Sequence, residues 1–524
     1  MRGSKHLVQQ LQLFRKSLIM LTANNPTRLK PFFILLFGFG CLLLVQSCHK
    51  KRSDIANALY GKTQNKNFKK LDPQTFAVVF DKVLKGQPAQ LIAFYRDRDN
   101  EPVLVLGNLK NDNLKMLAEK LSNAGEHGLD PALFDAPAYN QLLDKFYDAK
   151  AIKTKEEAYH ELAELELMTA RELIKYRKVL YYGLVDPKTI YKQYDTQTRE
   201  PDSSLIRQVL NHGDLHAYLD SIQPQDAQYK ALQQALAAGK AVGHLSAGES
   251  RRVLMVALER LRWQNKPQAN KYVLVNIPDF HLDVMEDGRS ALGMKVCVGK
   301  GRNMDFRKTL LNYDDTDRVD HPTHETPMLN SKIYEAQVNP VWNIPQSIAS
   351  KEIIVQAKTD PYYLSNNNID VFQKGEQVDP DNIDWSAANA ADYTFKQEPG
   401  ADNSLGRLKF LFKNKRSVYL HDTPVKNAFE QPVRAVSHGC VRVEKPLELA
   451  RALFGDGPRY ELVQKDYAAD KPEPTDIALP VGVPVYITYV TCWADRNGVI
   501  QYRRDVYGLD IVLYAAMEKQ MKSS

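Results

Sequence analysis

The apolar positions change period once along this chain. From about Asp54 to Gln264 they recur at helical intervals. Asp112 to Asp135 reads as a helix followed by "AGEHGLDPALF", with Gly125 and Gly128 as terminators. A long amphipathic helix begins at Thr154, where Thr154 and Glu157 have capping-box spacing. Leu162, Leu165, Met168, Ala170, Leu173, Ile174 and Leu180 line one face of it, and Gly183 closes it. Further helices are predicted over Gln225–Ala238 and Glu249–Trp263. After Trp263 the period becomes two. "KYVLVNIPDFHLDVMEDGRSALGMKVCVGKG" alternates apolar and polar residues around turn signals at Asp287-Gly288 and Gly299-Lys300-Gly301, as antiparallel strands do. "RLKFLFKNKRSVYLHD" has a hairpin pattern with Lys413–Ser417 as its solvated turn. "VPVYITYVTCWADRNGVIQYRRDVYG" resumes the alternation, and "EKPLELARALFG" is a short helix ended by Gly455. Residues Ser347 to Phe395 are polar and poorly patterned. At that length they predict a small inserted subdomain rather than a bare loop.

The N-terminus carries no such pattern. Up to Arg52 there are Lys and Arg residues but no Asp or Glu, and "PFFILLFGFGCLLLV" (Pro31–Val45) is almost wholly apolar. A membrane span needs about 20 residues, so this shorter run fits the core of a secretory signal. The basic stretch before it is long, and Met20 is an alternative start. The run ends in "VQSC". Val45, Ser47 and Cys48 resemble a bacterial lipobox, although Gln46 is bulkier than the small residue usual there. On this reading residues 1–47 are a lipoprotein-type signal, and Cys48 becomes a lipidated N-terminus that anchors the chain without spanning. The expected location is periplasmic and membrane-held; a plainly cleaved or uncleaved signal with an incidental Cys48 is the alternative.

That segment changes the reading of charge. The chain is formally +7, but cleavage before Cys48 removes six basic residues and leaves +1. The basic balance is mostly targeting, and nothing in it points to nucleic acid.

Five cysteines are present: Cys41, Cys48, Cys297, Cys440 and Cys492. Cys41 falls in the signal and Cys48 at its end. Three thiols then remain in an oxidising compartment, where unpaired cysteines are unusual. Cys297 and Cys492 sit in strand-like runs and read as buried small hydrophobes, with a Cys297–Cys492 disulfide as the alternative.

Cys440 has chemistry around it, in "YLHDTPVKNAFEQPVRAVSHGCVRV". A cysteine nucleophile attacks as thiolate and needs a base in hydrogen-bond reach, with donors for the oxyanion formed at an attacked carbonyl. Gly439 frees the backbone to bend, so the amides of Gly439 and Cys440 are expected to converge on one site. His421 ends the strand "SVYLHD" and is the preferred base; His438, two residues from the thiol, is the other candidate and reads as shaping the pocket. A zinc site from His421, His438 and Cys440 is the rival, with His281, His321 and His324 elsewhere in the chain but no fourth Cys or His nearby in sequence.

The stretch from His421 to Val443 resembles the signature of bacterial L,D-transpeptidases, in which a histidine precedes Ser/Thr-His-Gly-Cys by some fifteen residues. "LERLRWQ", "YVLVNIPDFHLDV", "TPMLNSKIYEAQVNPVWNIPQSI", "QEPGADNSLGRLKF" and "DVYG" resemble the large periplasmic branch of that family over roughly Arg251–Asp510. "AGEHGLDP", "LYYGLVDP" and "PQDAQYKALQQAL" resemble its scaffold domain more weakly. The resemblance implies an α+β multidomain chain: a mostly helical scaffold over 48–264, then a mainly antiparallel β-sandwich catalytic domain over 265–524 with a cap at about 347–395. It implies Cys440 as nucleophile, His421 as base, and the Asp422 main-chain carbonyl as orienter of the imidazole. Ser437 and Arg442 become substrate-binding candidates. Arg442 stands where the family often has Asn, and reads as a site wall contacting a carboxylate or as half of a structural ion pair. The implied partners are peptidoglycan stem peptides, with carbapenem-type β-lactams as acylating inhibitors. No cofactor or metal is implied. The small wall-binding module usual between scaffold and catalytic domain in that branch has no counterpart in this chain's sequence.

Overall fold

The computed structural model describes residues 54–109, 111–263, 267–301 and 324–523. The signal segment with its Val45–Cys48 motif, and His321, lie outside these. The long helix forms as its periodicity predicts: α1, Lys155–Tyr182, starts with Thr154 Oγ1 accepting from the Glu157 N–H at 3.1 Å. The predicted capping box is half formed, because the Glu157 carboxylate accepts from the Lys153 N–H rather than from that of Thr154. Helix α2 is Ala227–Ala237, and α3 is Ala247–Arg262. α3 begins two residues before the position predicted, because Ser246 and Glu249 form a complete capping box.

The described chain divides into two compact units. One holds residues up to Leu117 together with Ala138–Arg171; the other holds Ala118–Pro137 and Glu172 onward. In the first, Phe68, Phe76, Phe80, Phe94, Tyr95 and Phe146 are buried. Buried Glu166 there accepts from the N–H groups of Leu104 and Val105 and from the Tyr95 hydroxyl. Burial pushes its carboxyl up to about 7.

The second unit takes α2 and α3 into the same core as the β-strands. Val253 to Leu258 are buried without interruption, and a helix apolar on every side must be covered on every side. Its strands are β1 Lys271–Asn276, β2 His281–Glu286, β3 Arg289–Gly299, β4 Met328–Val338, β5 Leu408–Phe412, β6 Leu420–His421, β7 Ala435–Ser437, β8 Val441–Val443 and β9 Thr475–Thr488. Beyond a two-residue strand, Tyr194–Asp195, that pairs parallel with β4, the sheet order is β4-β5-β6-β8-β3-β2-β1-β9, and β9 also pairs with β4, so the path closes on itself. Most pairs are antiparallel; β6–β8, β7–β3 and β9–β1 are parallel. The hairpin expected around Lys413–Ser417 is the β5–β6 pair, with Asn414 bridging its turn to the N–H groups of Arg416 and Val418.

Between β4 and β5 lies the inserted cap. It has its own four-stranded antiparallel sheet, in the order Trp342–Ile344, Tyr393–Gln397, Ile369–Gln373, Glu376–Val378. It also has its own core, including Ile344, Leu364, Val371, Trp385 and Phe395. The polar composition that hides this pattern reflects how few of its residues are buried.

Candidate active site

Strand β6 is only two residues long, yet it sets the site. It runs antiparallel to β5, with Lys409 opposite His421, and parallel to β8, with His421 opposite Arg442. The Val441 N–H donates to the Tyr419 carbonyl at 3.1 Å, which carries the same register back to Tyr419 and Cys440. Side chains alternate faces along a strand. Phe410, Leu420, Val441 and Val443 therefore turn into the core, where all are fully buried. Lys409, Tyr419, His421, Cys440 and Arg442 share the other face. Cys297 of β3 lies opposite Arg442 on that face. His421 and Cys440 are thus diagonal neighbours on adjacent strands, as the sequence predicts for base and thiol.

The turn before β8 is held from several directions. Gly439 has φ +117°, a conformation L side chains rarely adopt. The Ser437 hydroxyl donates to the Cys440 carbonyl at 2.5 Å and accepts from the Gly439 N–H at 3.2 Å. The Thr326 hydroxyl donates to the Gly439 carbonyl at 2.8 Å and accepts from the Gly299 N–H at 2.8 Å. Tyr507 completes the brace: its hydroxyl donates to the Gly299 carbonyl at 2.6 Å and accepts from the Thr326 N–H at 3.2 Å. A Cβ on Gly299 would lie 1.8 Å from the His324 carbonyl oxygen, so only glycine fits there.

Two expectations are corrected by this turn. The Gly439 amide is spent on Ser437 inside the turn at 3.2 Å, not free for a substrate. Ser437 is buried with its hydroxyl tied at both ends, so it shapes the turn and is not a free substrate contact. Thr326 and Tyr507 were not singled out by residue chemistry, and their signal was the family-like stretches "TPML" and "DVYG" that contain them. Gly299 was read only as part of a turn signal.

The electrostatics oppose a resting thiolate–imidazolium pair. Burial raises the Cys440 thiol above its ordinary value, against hydrogen bonds from the Tyr419 main chain and hydroxyl and the charges of Lys409 and Arg442. The Tyr419 hydroxyl in turn takes a hydrogen bond from the Trp342 indole at the start of the cap. Burial, and then the Arg442 guanidinium, push His421 down to about 3, against the main-chain carbonyls of Asp422 and Leu405, which favour the charged form. Among the described residues, His421 Nδ1 and Arg442 Nε are buried without a hydrogen bond of normal geometry. Both shifts favour a neutral thiol beside a neutral imidazole.

The remaining candidates occupy distinct places. The Asp422 side chain accepts from the N–H groups of Arg407 and Thr423 and from Lys426, and so holds its loop. The half-exposed His438 turns away to the cap, where its Nε2 meets Glu352 Oε1 at 2.5 Å and its ring stacks edge-on to His324 at 4.8 Å. Cys297 and Cys492 are buried and free, with no disulfide between them; burial pushes their thiols up to about 11 and about 12. Among the described residues, no three His, Cys, Asp or Glu side chains converge as metal ligands would.

Comparison with known proteins places this site within a recognised domain. A family described as the scaffold domain matches residues 89–236, and one described as the L,D-transpeptidase catalytic domain matches 270–487. The second match holds β1 to β8, the cap and every residue described above for the site except Cys492 and Tyr507. A Haemophilus influenzae protein named "Putative L,D-transpeptidase" is 30% identical over 323 residues, which cover 61% of this chain and 61% of that protein. The chain spans less than two thirds of the length of this relative. The chain therefore carries a scaffold domain followed by an L,D-transpeptidase catalytic domain, and is similar over 61% of its length to a relative named for that activity.

Proposed function

We propose that this protein is a cysteine-dependent peptidoglycan L,D-transpeptidase that forms 3→3 cross-links during cell-wall biogenesis. The observation that carries the reading is the shared sheet face of Cys440 and His421 inside a matched L,D-transpeptidase catalytic domain. His421 takes the thiol proton as Cys440 attacks the carbonyl between the third residue of a tetrapeptide stem and its terminal D-Ala. The amide C–N bond breaks, the proton passes to the leaving amine, and D-Ala departs. A thioester on Cys440 remains. The side-chain amine of a second stem then attacks it, frees the thiol and forms the new amide. One amide bond is exchanged for another, so no nucleotide is consumed. The Cys440 N–H faces the developing oxyanion, and Arg442 offers a charge for a stem carboxylate. In the same reading Cys48 is lipidated and holds the enzyme at a periplasmic membrane face; among the described residues no helix is long and apolar enough to cross a membrane.

The test is mass spectrometry of wall fragments after incubation with the protein. A new 3→3 dimer with released D-Ala supports transfer. Shortened stems alone turn the reading to a thiol hydrolase, with water as acceptor; no product at all sinks both. Carbapenem acylation seen by intact mass assigns the residues. Cys440→Ala abolishes the adduct, and His421→Ala slows it by roughly 100-fold or more. A dead His438→Ala with a near-normal His421→Ala would transfer the base role to His438.

A further inference from the structure

Lysine is disfavoured in strands and seldom buried without a partner, yet Lys409 sits half-buried as the second residue of β5. Its register places it directly opposite His421, on the face that carries Cys440. Its Nζ lies 4.4 Å from the centroid of the Tyr419 ring, the side chain whose hydroxyl reaches the thiol. On its far side are two carboxylates. Lys409 pairs with Gln337 of β4, which is opposite Asp476 of β9, and Glu335 is two residues further along β4. Burial lowers the Lys409 pKa, and the nearby charges of Cys440, Asp476 and Glu335 oppose that loss. The proton transfer between Cys440 and His421 has no use for this lysine as acid or base. A cation set beside a sulfur that must become negative does have a use.

We propose that Lys409 is a positioning residue for the nucleophile: its ammonium, held over the Tyr419 ring, biases Cys440 toward thiolate. This rests on Cys440 being the nucleophile. The same ammonium disfavours a charged His421, so Lys409 separates the two protonations that a plain ion pair would couple. Around the sulfur, the titratable and charged groups are Tyr419 and His421 before and in β6, Lys409 on β5, Arg442 on β8 and Cys297 on β3. Beyond the turn come His438, His324, Lys351 and Glu352. Arg442 stays in place when Lys409 is changed, so the effect is partial.

The experiment follows alkylation of Cys440 by iodoacetamide across pH in the full-length protein, read at the Cys440 peptide by mass spectrometry. In Lys409→Met the midpoint rises by about one pH unit, so alkylation near neutrality slows by about tenfold. Lys409→Arg restores the original midpoint. Lys409→Gln serves the same purpose should the Met variant not fold, with thermal melting as the check. An unchanged midpoint in a folded Lys409→Met or Lys409→Gln protein overturns the proposal, as does a Lys409→Arg protein that stays shifted. Slower carbapenem acylation with unaltered thiol titration also overturns it, because that makes Lys409 a substrate contact. Failure of the nucleophile reading looks different: the carbapenem adduct then persists in Cys440→Ala.

Discussion

Thr326 donates its hydroxyl to the main-chain carbonyl of Gly439 at 2.8 Å, from 113 residues earlier in the chain. The same oxygen accepts from Gly299, so one buried hydroxyl ties the end of β3 to the turn that carries Cys440. Thr326→Val keeps the shape and removes both hydrogen bonds. Unsatisfied buried groups of this kind cost about 1–3 kcal/mol. We expect a lower melting temperature and slower acylation of Cys440, with Thr326→Ser close to wild type. Equal melting and equal acylation in the Val variant would show that the brace carries no weight.

Gly299 tests the same junction sterically. Any Cβ there meets the His324 backbone at 1.8 Å, so Gly299→Ala displaces the segment that holds Thr326. Acylation is expected to be lost together with several degrees of thermal stability. Gly248→Ala is the control: its Cβ enters open space at the start of α3, and replacing a helical glycine by alanine stabilises by roughly 0.5–1 kcal/mol. Two alanine variants that behave alike would contradict the packing described for Gly299.

The pH dependence follows from the direction of each shift. His421 is held down to about 3 and the Cys440 thiol is raised. With His421 neutral over the working range, we expect acylation to show no inflection near 6.5 and to climb into alkaline pH with the thiol. For stability the sign is separate. His421 unfolds to an ordinary histidine that binds a proton near 6.5, which the folded site refuses until about 3. Its contribution is full above 6.5 and is lost as pH falls from there toward 3. Wild type should lose stability on acidification more steeply than His421→Gln. A parallel pH course for the two proteins, or an acid break at 6.5 in acylation, would show that His421 is not held neutral.

Glu352 on the cap and His438 on the Gly439 turn meet at 2.5 Å. If this contact latches the cap over the cleft, Glu352→Ala frees the helical segment Ile354–Thr359 that follows it. Hydrogen exchange there should quicken, while the β1–β3 strands keep their protection. Stem peptide should slow exchange in the wild-type cap. Equal cap exchange in wild type and variant would mean that the latch does not hold.

Much of this architecture follows from local pattern. The switch from helical to alternating periodicity near Trp263 separates helices from strands because each period buries one face of one element. The Lys413–Ser417 turn, the cap at α3 and the stop at Gly455 are set by residues within a few positions of each other. The candidates His421 and Cys440 were legible too, since a thiol on a glycine turn after a strand-ending histidine is a local arrangement. Their candidate roles as thiol and base were read from the residues, and the resemblance implies the same roles.

What only the tertiary structure decided involves partners far apart in sequence. Gly439 was expected to offer its amide to substrate, but Ser437 takes that amide, and Thr326 and Tyr507 hold the turn from outside it. His438 was placed beside the thiol by spacing, yet its ring answers to Glu352 on the cap. Lys409 reads in sequence as one more polar position in an alternating strand. Only the pairing of β5 with β6, and of β6 with β8, sets its ammonium against Tyr419 on the face of Cys440. Alternation assigns a side chain to a face, but strand register decides which other side chains share that face, and register is a property of the assembled sheet.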